Sequence, residues 1–428
     1  MPASDPAPSS RPGFFGFALH YAFRSLGRNP RRTLLTVTTV ALSAVVTIVA
    51  SRYSTALMSL WREGATNTGL AHAQIHTQGY LRQPDGLSLA QTIVGGGPLE
   101  RSLAGDPFVT ALSPRLKFEG IISAKDKTVY FLGIGVDPKR ELEVSPSLFN
   151  PGNPEGHDQG TFLSGTEKEA ATIGMGLAET LNLHLGDEAT LVTQTVTGAV
   201  NGIDIVIRGI VDVPLPSFSR RLVYVNLEHA RRLLRLPNRY TELAVRVTDP
   251  AELPAWIDAH SQAAAAEKLE LAGWWQIDPV IPKVERIWHS AVGLISTLLF
   301  LSAALSVLNI IFMTVAERTV EIGTLMAIGA RARDIRRLFA LEAALIGLVG
   351  GCLGVLGGNA VVLAMNLVGM PIASPFSSGT YVVRPTMSLM INIAVLVGAV
   401  VVCMLASIPP SRKASSVDPT QAFRGQIT

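Results

Sequence analysis

Four stretches of the chain lack charged residues over a length that matters: Thr33–Ser51, Ser290–Ala316, Ala343–Val383 and Pro385–Ser411. Crossing a hydrocarbon core of ~30 Å takes about 20 apolar residues at 1.5 Å rise each. The pattern therefore predicts transmembrane helices over residues 33–51, 290–316, 341–368 and 387–408. Gly369, Pro371 and Pro375 break the chain between the last two. The first run follows Arg32 and exceeds the 7–15-residue apolar core of a signal peptide, so it reads as an uncleaved anchor.

Between the first two runs the pattern changes period. Alternating or β-branched runs predict strands at Lys117–Ser123, Thr128–Val136, Glu188–Thr195, Ile203–Val211 and Leu222–Asn226, with further strands at Thr241–Val247 and Trp274–Ile277. Helical spacing appears at Ala178–Leu183, Leu227–Leu236 and Leu253–Lys268, and Asn153–Gly165 reads as a polar loop. Residues 52–289 are thus a mixed α/β domain set between the first and second spans.

Composition agrees with a chain largely in lipid. Of its 428 residues 48% are hydrophobic and 16% charged, where soluble domains carry about a quarter charged; mean hydropathy is +0.34. Residues 52–288 hold 22 Lys and Arg against 27 Asp and Glu, and the remainder 14 against 6. That basic surplus sits in segments flanking the apolar runs, which is the mark of topology rather than of nucleic-acid binding. Arg24, Arg28, Arg31 and Arg32 precede the first span; Arg318, Arg331, Arg333, Arg336 and Arg337 follow the second; Arg412, Lys413 and Arg424 follow the fourth. The 369–386 loop has Arg384 alone.

Short basic loops stay in the cytoplasm. The expected order is a cytoplasmic N-terminus (1–32), an extracytoplasmic, periplasmic domain (52–289), a cytoplasmic loop (317–340), a short external loop (369–386) and a cytoplasmic tail (409–428). Phe14–Arg28 is expected to lie as an interfacial helix, with His20, Arg24, Arg28 and Arg31 as its polar stripe. Both cysteines, Cys352 and Cys403, lie in apolar runs, so no disulfide staples the outer domain.

The loop after the second span holds the densest chemistry. It reads Ala316-Glu-Arg-Thr-Val-Glu-Ile-Gly-Thr-Leu-Met-Ala-Ile-Gly-Ala330, then Arg331, Arg333, Arg336 and Arg337, then Leu341-Glu-Ala343. A short helix at Val320–Ile328 would put Ile322, Leu325 and Met326 on one apolar face, with Gly329 at its C-terminal cap. Such a face needs a cover, either lipid headgroups or a partner protein. The segment closely resembles the E-R-x-x-E-I-G-x-L-x-A-[IL]-G-A hallmark of MacB/LolC/FtsX-type ABC permeases, matching at Glu317, Arg318, Glu321, Ile322, Gly323, Leu325, Ala327, Ile328, Gly329 and Ala330. The stretch from Pro410 to Arg424 resembles the family's closing motif. Phe339 stands where that pattern has Leu.

The resemblance is nearest to the lipoprotein-release permeases LolC and LolE. It implies the non-catalytic membrane subunit of an ATP-driven transporter that extracts or exports an amphiphilic substrate from the bacterial inner membrane. MacB-like efflux of drugs or peptides is an alternative, and so is an FtsX-like mechanotransmitting regulator of an extracellular hydrolase. The implied partners are two copies of a nucleotide-binding ATPase subunit, a second permease copy (homo- or heterodimeric), membrane lipid and a periplasmic carrier or adaptor. ATP and Mg would belong to the ATPase, since the chain has no G-x-x-x-x-G-K-[ST] pattern and no Gly-Lys pair. The resemblance assigns ATPase coupling to Glu317, Arg318, Glu321, Ile322, Gly323, Leu325, Met326, Ala327, Gly329 and Ala330.

Three further sets of residues stand out. Gly347, Gly351, Gly354 and Gly358 fall at small-xxx-small spacing and are expected to pack helices, within one subunit or across a dimer. Val45, Val49, Leu294 and Leu298 are candidates for a substrate cavity open to the outer leaflet. His157, His184, His229 and His260 are scattered without H-E-x-x-H or cysteine, and Ser164 lacks G-x-S-x-G, so neither a metal nor a catalytic set is expected.

Overall fold

The computed structural model describes residues 29–82, 89–150, 158–163, 169–212, 216–373 and 380–416. The interfacial helix expected at Phe14–Arg28, His157, Ser164 and the tail beyond 416 lie outside the described residues. The chain divides into two compact units, Met1–Leu57 with Arg286–Met370 and Val383–Thr428, and Met58–Glu285 with Pro371–Val382.

The first unit is built on four helices, Pro30–Ala65, Val280–Glu317, Ala332–Val368 and Leu389–Ala406, the last followed across a break at Ser407 by Ile408–Ala414. All four are long and apolar enough to cross a membrane. The first three overrun the expected spans. The first continues past Arg52 to Ala65, the second starts at Val280, and the third at Ala332. Backbone hydrogen bonding does not stop where lipid does, so charged residues such as Arg52 and Glu285 sit inside continuous helices.

The third helix is central: 56% of its most apolar window is buried, against 33, 22 and 17% in the first, second and fourth. Its glycines explain how. A Cβ added at Gly354 would lie 2.4 Å from the Ala44 methyl, and one at Gly358 3.1 Å from Ile48, both on the first helix. At Gly347 it would lie 2.8 Å from the Val400 backbone, and at Gly351 2.7 Å from Leu396, both on the fourth. The expected small-residue row therefore seats two neighbours of its own chain, where close approach supplies the dispersion contacts that lipid-immersed helices depend on. Several polar span residues also find partners within the chain. Ser43 Oγ donates to Leu299 O at 3.1 Å, Asn392 Nδ2 to Asn359 Oδ1 at 3.4 Å, and Asn366 Nδ2 to Pro385 O at 3.1 Å.

The second unit is organised by one ten-stranded sheet. Its strands are β1 (Ala73–Thr77), β3 (Val109–Ala124), β4 (Lys127–Val136), β5 (Gln159–Gly160), β6 (Ala170–Gly174), β7 (Glu188–Gln194), β8 (Val200–Val211), β9 (Leu222–Asn226), β11 (Glu242–Val247) and β12 (Leu269–Gly273). They run in the order β12-β1-β11-β3-β4-β9-β6-β8-β5, with β7 joining β3 to β8. A separate pair joins β2 (Ile93–Val94) to β10 (Arg239–Tyr240), and another joins β13 (Met370–Ala373) to β14 (Thr380–Val383). Two hydrophobic cores share the long β3. One gathers Phe118, Phe131, Ile173, Leu191, Ile207 and Leu233 from the middle of the segment. The other takes Ile75, Leu103, Tyr240, Val245 and Trp256 from both flanks.

Trp274–Ile277 is a helical turn rather than the expected strand. Gln276 Oε1 accepts from Gly273 N at 2.9 Å and caps it, overriding the strand preference of its tryptophans. The last turn of the first long helix is held within this unit: Arg62 pairs with Glu285 at 3.1 Å and its guanidinium lies 5.5 Å over the Trp274 ring.

Candidate functional site

The loop between the second and third long helices begins at Arg318, whose φ of −112° and ψ of 18° break the helix. A short helix follows at Thr319–Ala327. It ends in a two-bond cap: Gly329 N donates to Met326 O and Ala330 N to Leu325 O, each at 3.0 Å. Gly329 sits at φ +102°, a conformation that a side chain strains and glycine does not. The third helix then starts behind Arg331, whose N–H donates to Asp334 Oδ2 at 3.1 Å.

Two ion pairs join this loop to the bundle, one buried and one exposed. Arg318 and Glu342, both nearly buried, lie 4.0 Å apart and tie the loop's start to the third helix. Glu317 accepts from Arg32 at 2.6 Å and from Asn29 at 3.1 Å, tying it to the first. The Glu-Arg pair of the motif thus meets the first and third helices, with the buried Arg318–Glu342 contact the stronger tie. That linkage is invisible in the spacing, because it joins residues 24 and 285 positions apart.

The orientation of the loop helix differs from the one its spacing suggests. Ile322 is 3% exposed and packs with Ile311, Val315, Ile335 and Phe339, while Leu325 and Met326 pack partly against the same core. Gly323 and Thr319 are buried beside them. The face expected to need an outside cover is covered by the chain itself. What faces outward is Val320 at 55% exposure, Thr324, Ala327 and Ile328 at 80%, spaced as one helical stripe. Glu321 and Ala330 are half-buried at its edges.

The four cavity candidates are not brought together. Val45 lies against Gly357 of the third helix and Val49 packs beside Ala44, Ile48 and Val362. Leu294 and Leu298 are 62 and 56% exposed, and Leu301 and Leu305 extend them along the outward side of the second helix.

The second unit holds a different cluster that sequence reasoning missed. Arg115, buried on β3, reaches Glu141 with two donors at 2.6 and 2.9 Å, Glu242 at 3.1 Å and Gly69 O at 2.5 Å. Lys117 completes the balance at 2.6 Å from Glu242. Burial alone would raise the Glu242 carboxyl, but Lys117 and Arg115 beside it outweigh that and hold it at about 2. Next to it His76, 1% exposed, stacks on Tyr80 at 4.5 Å. Burial lowers His76, and likewise His72, to about 4. Among the described residues no three His, Cys, Asp or Glu side chains are grouped to hold a metal ion. The cluster is closed and charge-balanced, so it offers rigidity rather than a reactive centre.

Four helices long and apolar enough to cross a membrane, an α/β unit inserted after the first and a pinned loop helix after the second give the layout of a multi-pass membrane protein. Residues 293–419 match the family model described as FtsX-like permease C-terminal. The macrolide export ATP-binding/permease protein MacB of Rhodospirillum rubrum is 26% identical over 430 residues, covering 96% of this chain and 61% of that protein. The lipoprotein-releasing system transmembrane protein LolC of Neisseria meningitidis is 24% identical over 268 residues, covering 59% of this chain and 64% of that one. Among solved structures, the periplasmic region of MacB from Actinobacillus actinomycetemcomitans covers 50% of this chain and 94% of its own at 11% identity and a TM-score of 0.35. The chain is thus similar to ABC transporter permeases of MacB/LolC/FtsX type. It spans less than two thirds of the length of the two curated relatives named here.

Proposed function

We propose that this protein is the membrane subunit of an ATP-driven system that exports or extracts an amphiphile, engaging it outside the cytoplasm. Both termini are cytoplasmic and residues 52–289 lie in the periplasm, a reading supported by the basic segments around 24–32, 318–337 and 412–424. ATP and Mg are bound outside these 428 residues, on a nucleotide-binding partner that meets the loop helix. The observation that carries this reading is the outward stripe Val320, Thr324, Ala327 and Ile328 on a helix pinned by Arg318–Glu342. An apolar stripe on a rigidly held helix suits seating in a partner's groove. A second permease copy and the substrate would share the outward side of the second helix, at Leu294, Leu298, Leu301 and Leu305. The MacB alignment runs over nearly the whole chain and the LolC alignment over three fifths, which favours efflux over lipoprotein release as the substrate class.

The docking assignment is tested by a pair of substitutions. Ile328→Asp should leave the purified permease as heat-stable as the parent while its ATPase no longer co-purifies. Ile322→Asp should instead destabilise the permease, because the charge enters its own core. Retention of the ATPase and full transport by Ile328→Asp would remove the stripe as a docking surface.

A further inference from the structure

A concave cavity of about 330 Å³ opens where the third helix begins and the fourth ends. Arg333, Arg336 and Arg337 enter it from the first two turns of the third helix, and Ser407, Ser411 and Arg412 from the break after the fourth. The two hydroxyls are already committed, Ser407 Oγ donating to Met404 O at 2.7 Å and Ser411 Oγ to Ile408 O at 3.0 Å. Arg336 spends its Nε on Ala332 O at 3.3 Å. Every donor left to a ligand is therefore a guanidinium N–H.

Among the described residues no carboxylate pairs with any of these four arginines. The nearest acid in sequence, Asp334, accepts from the Arg331 backbone. Elsewhere in the same unit, Arg32 and Arg318 both have acidic partners. Four like charges around one cavity repel one another unless an anion enters.

Position says which anion. The uncharged run of the third helix starts at Ala343 and that of the fourth ends at Ser411, so the arginines stand at the edge of the lipid-spanning surface. Leu405 and Ile408 are 58 and 40% exposed at the end of the fourth helix and the break after it. A ligand with a phosphate for the arginines and apolar chains for those side chains satisfies both surfaces. Guanidinium groups bind phosphate oxygens in a fork, and basic pockets between helix ends hold anionic headgroups.

We propose that this cavity binds the phosphate of an anionic phospholipid of the phosphatidylglycerol or cardiolipin class. The assignment rests on the four spans and not on transport, so it can fail while the proposed function stands. Attraction of ~1 kcal/mol per arginine corresponds to roughly fivefold in affinity. Full-length protein would be purified and its bound lipids counted by native mass spectrometry, with phosphatidylglycerol against phosphatidylcholine. The expected result is a preference of on the order of several hundredfold for phosphatidylglycerol, reduced to within a few-fold in Arg333→Gln/Arg337→Gln/Arg412→Gln. The lysine triple at these positions should keep most of the preference, and single Arg412→Gln, which should fold regardless, should lose roughly fivefold. Inorganic phosphate at millimolar concentration should not displace the lipid. Equal retention of both lipids by the parent, unchanged preference in the glutamine variants, or full displacement by phosphate alone would each overturn the assignment.

Discussion

The two units of this molecule treat charge in opposite ways. In the outer unit Arg115, Lys117, Glu141 and Glu242 form a closed set, all but Lys117 buried, with each carboxylate facing a cation. In the membrane unit only part of the charge is settled internally, through Arg318–Glu342 and Arg32–Glu317, while Arg333, Arg336, Arg337 and Arg412 have no carboxylate partner among the described residues. Charge satisfied inside a chain shapes the chain. Charge and apolar surface left unsatisfied at a fixed place are what it offers to others. By that reasoning the outer unit is rigid around its network, and the recruitment proposed above falls to the loop and helix ends.

The sharpest way to break this contrast is to remove the hub of the network. Arg115→Met strands Glu141 and Glu242 in the interior, and losing one partner of a buried pair costs about 3–5 kcal/mol. At about 2–4 °C per kcal/mol for a domain of this size, the unfolding transition of the outer unit should fall by roughly 6–20 °C. A shift under a couple of degrees, read by scanning calorimetry of the intact permease, would mean the network is dispensable.

Acidification should separate the units more gently. His72 and His76 have folded pKa values of about 4 against an ordinary 6.5, so below 6.5 the unfolded chain takes up protons that the folded unit refuses. Stability should therefore fall as pH drops from 6.5 towards 4, by on the order of 2 kcal/mol over the first pH unit if both act. Glu242 adds to the loss lower down, between its ordinary value of 4.5 and about 2. The double variant His72→Gln/His76→Gln should flatten the slope above pH 4.5. An equally steep slope in the variant would assign the sensitivity elsewhere.

The smallest effect expected is at the exposed pair. Arg32 and Glu317 are each more than two-fifths exposed despite their 2.6 Å contact, and such pairs contribute little in water. Arg32→Ala should leave the melting temperature unchanged within error. A large drop would show that this pair, and not Arg318–Glu342, holds the loop.

Much of this architecture was legible in the residues. Uncharged runs found all four spans, because lipid tolerates no ambiguity about long apolar stretches. The loop motif found a short helix with a fixed shape between the second and third spans. The apolar face of the loop helix, Ile322 with Leu325 and Met326, was legible, but its cover was not, since only tertiary packing shows that the chain's own core takes it and leaves Ile328 outward. Nor was the Arg115 network. In Ser-Pro-Arg-Leu-Lys-Phe-Glu the alternation reads as an ordinary half-exposed strand, and Glu141 and Glu242 lie 26 and 127 residues away. Helix ends escaped too, because hydrogen bonding carries a helix past the lipid that composition detects.

The glycine seam of the third helix also has a consequence in time. Ala44, which nests against Gly354, is made 310 residues before its partner. At about 5–20 residues per second, synthesis leaves the first helix waiting roughly 15–60 s without the neighbour it is shaped for. During that interval its small-residue side is open to lipid, to insertion machinery and to membrane proteases. Damage to this seam should therefore appear first in biogenesis, as chains cleared before completion, and only afterwards in the properties of the molecules that survive.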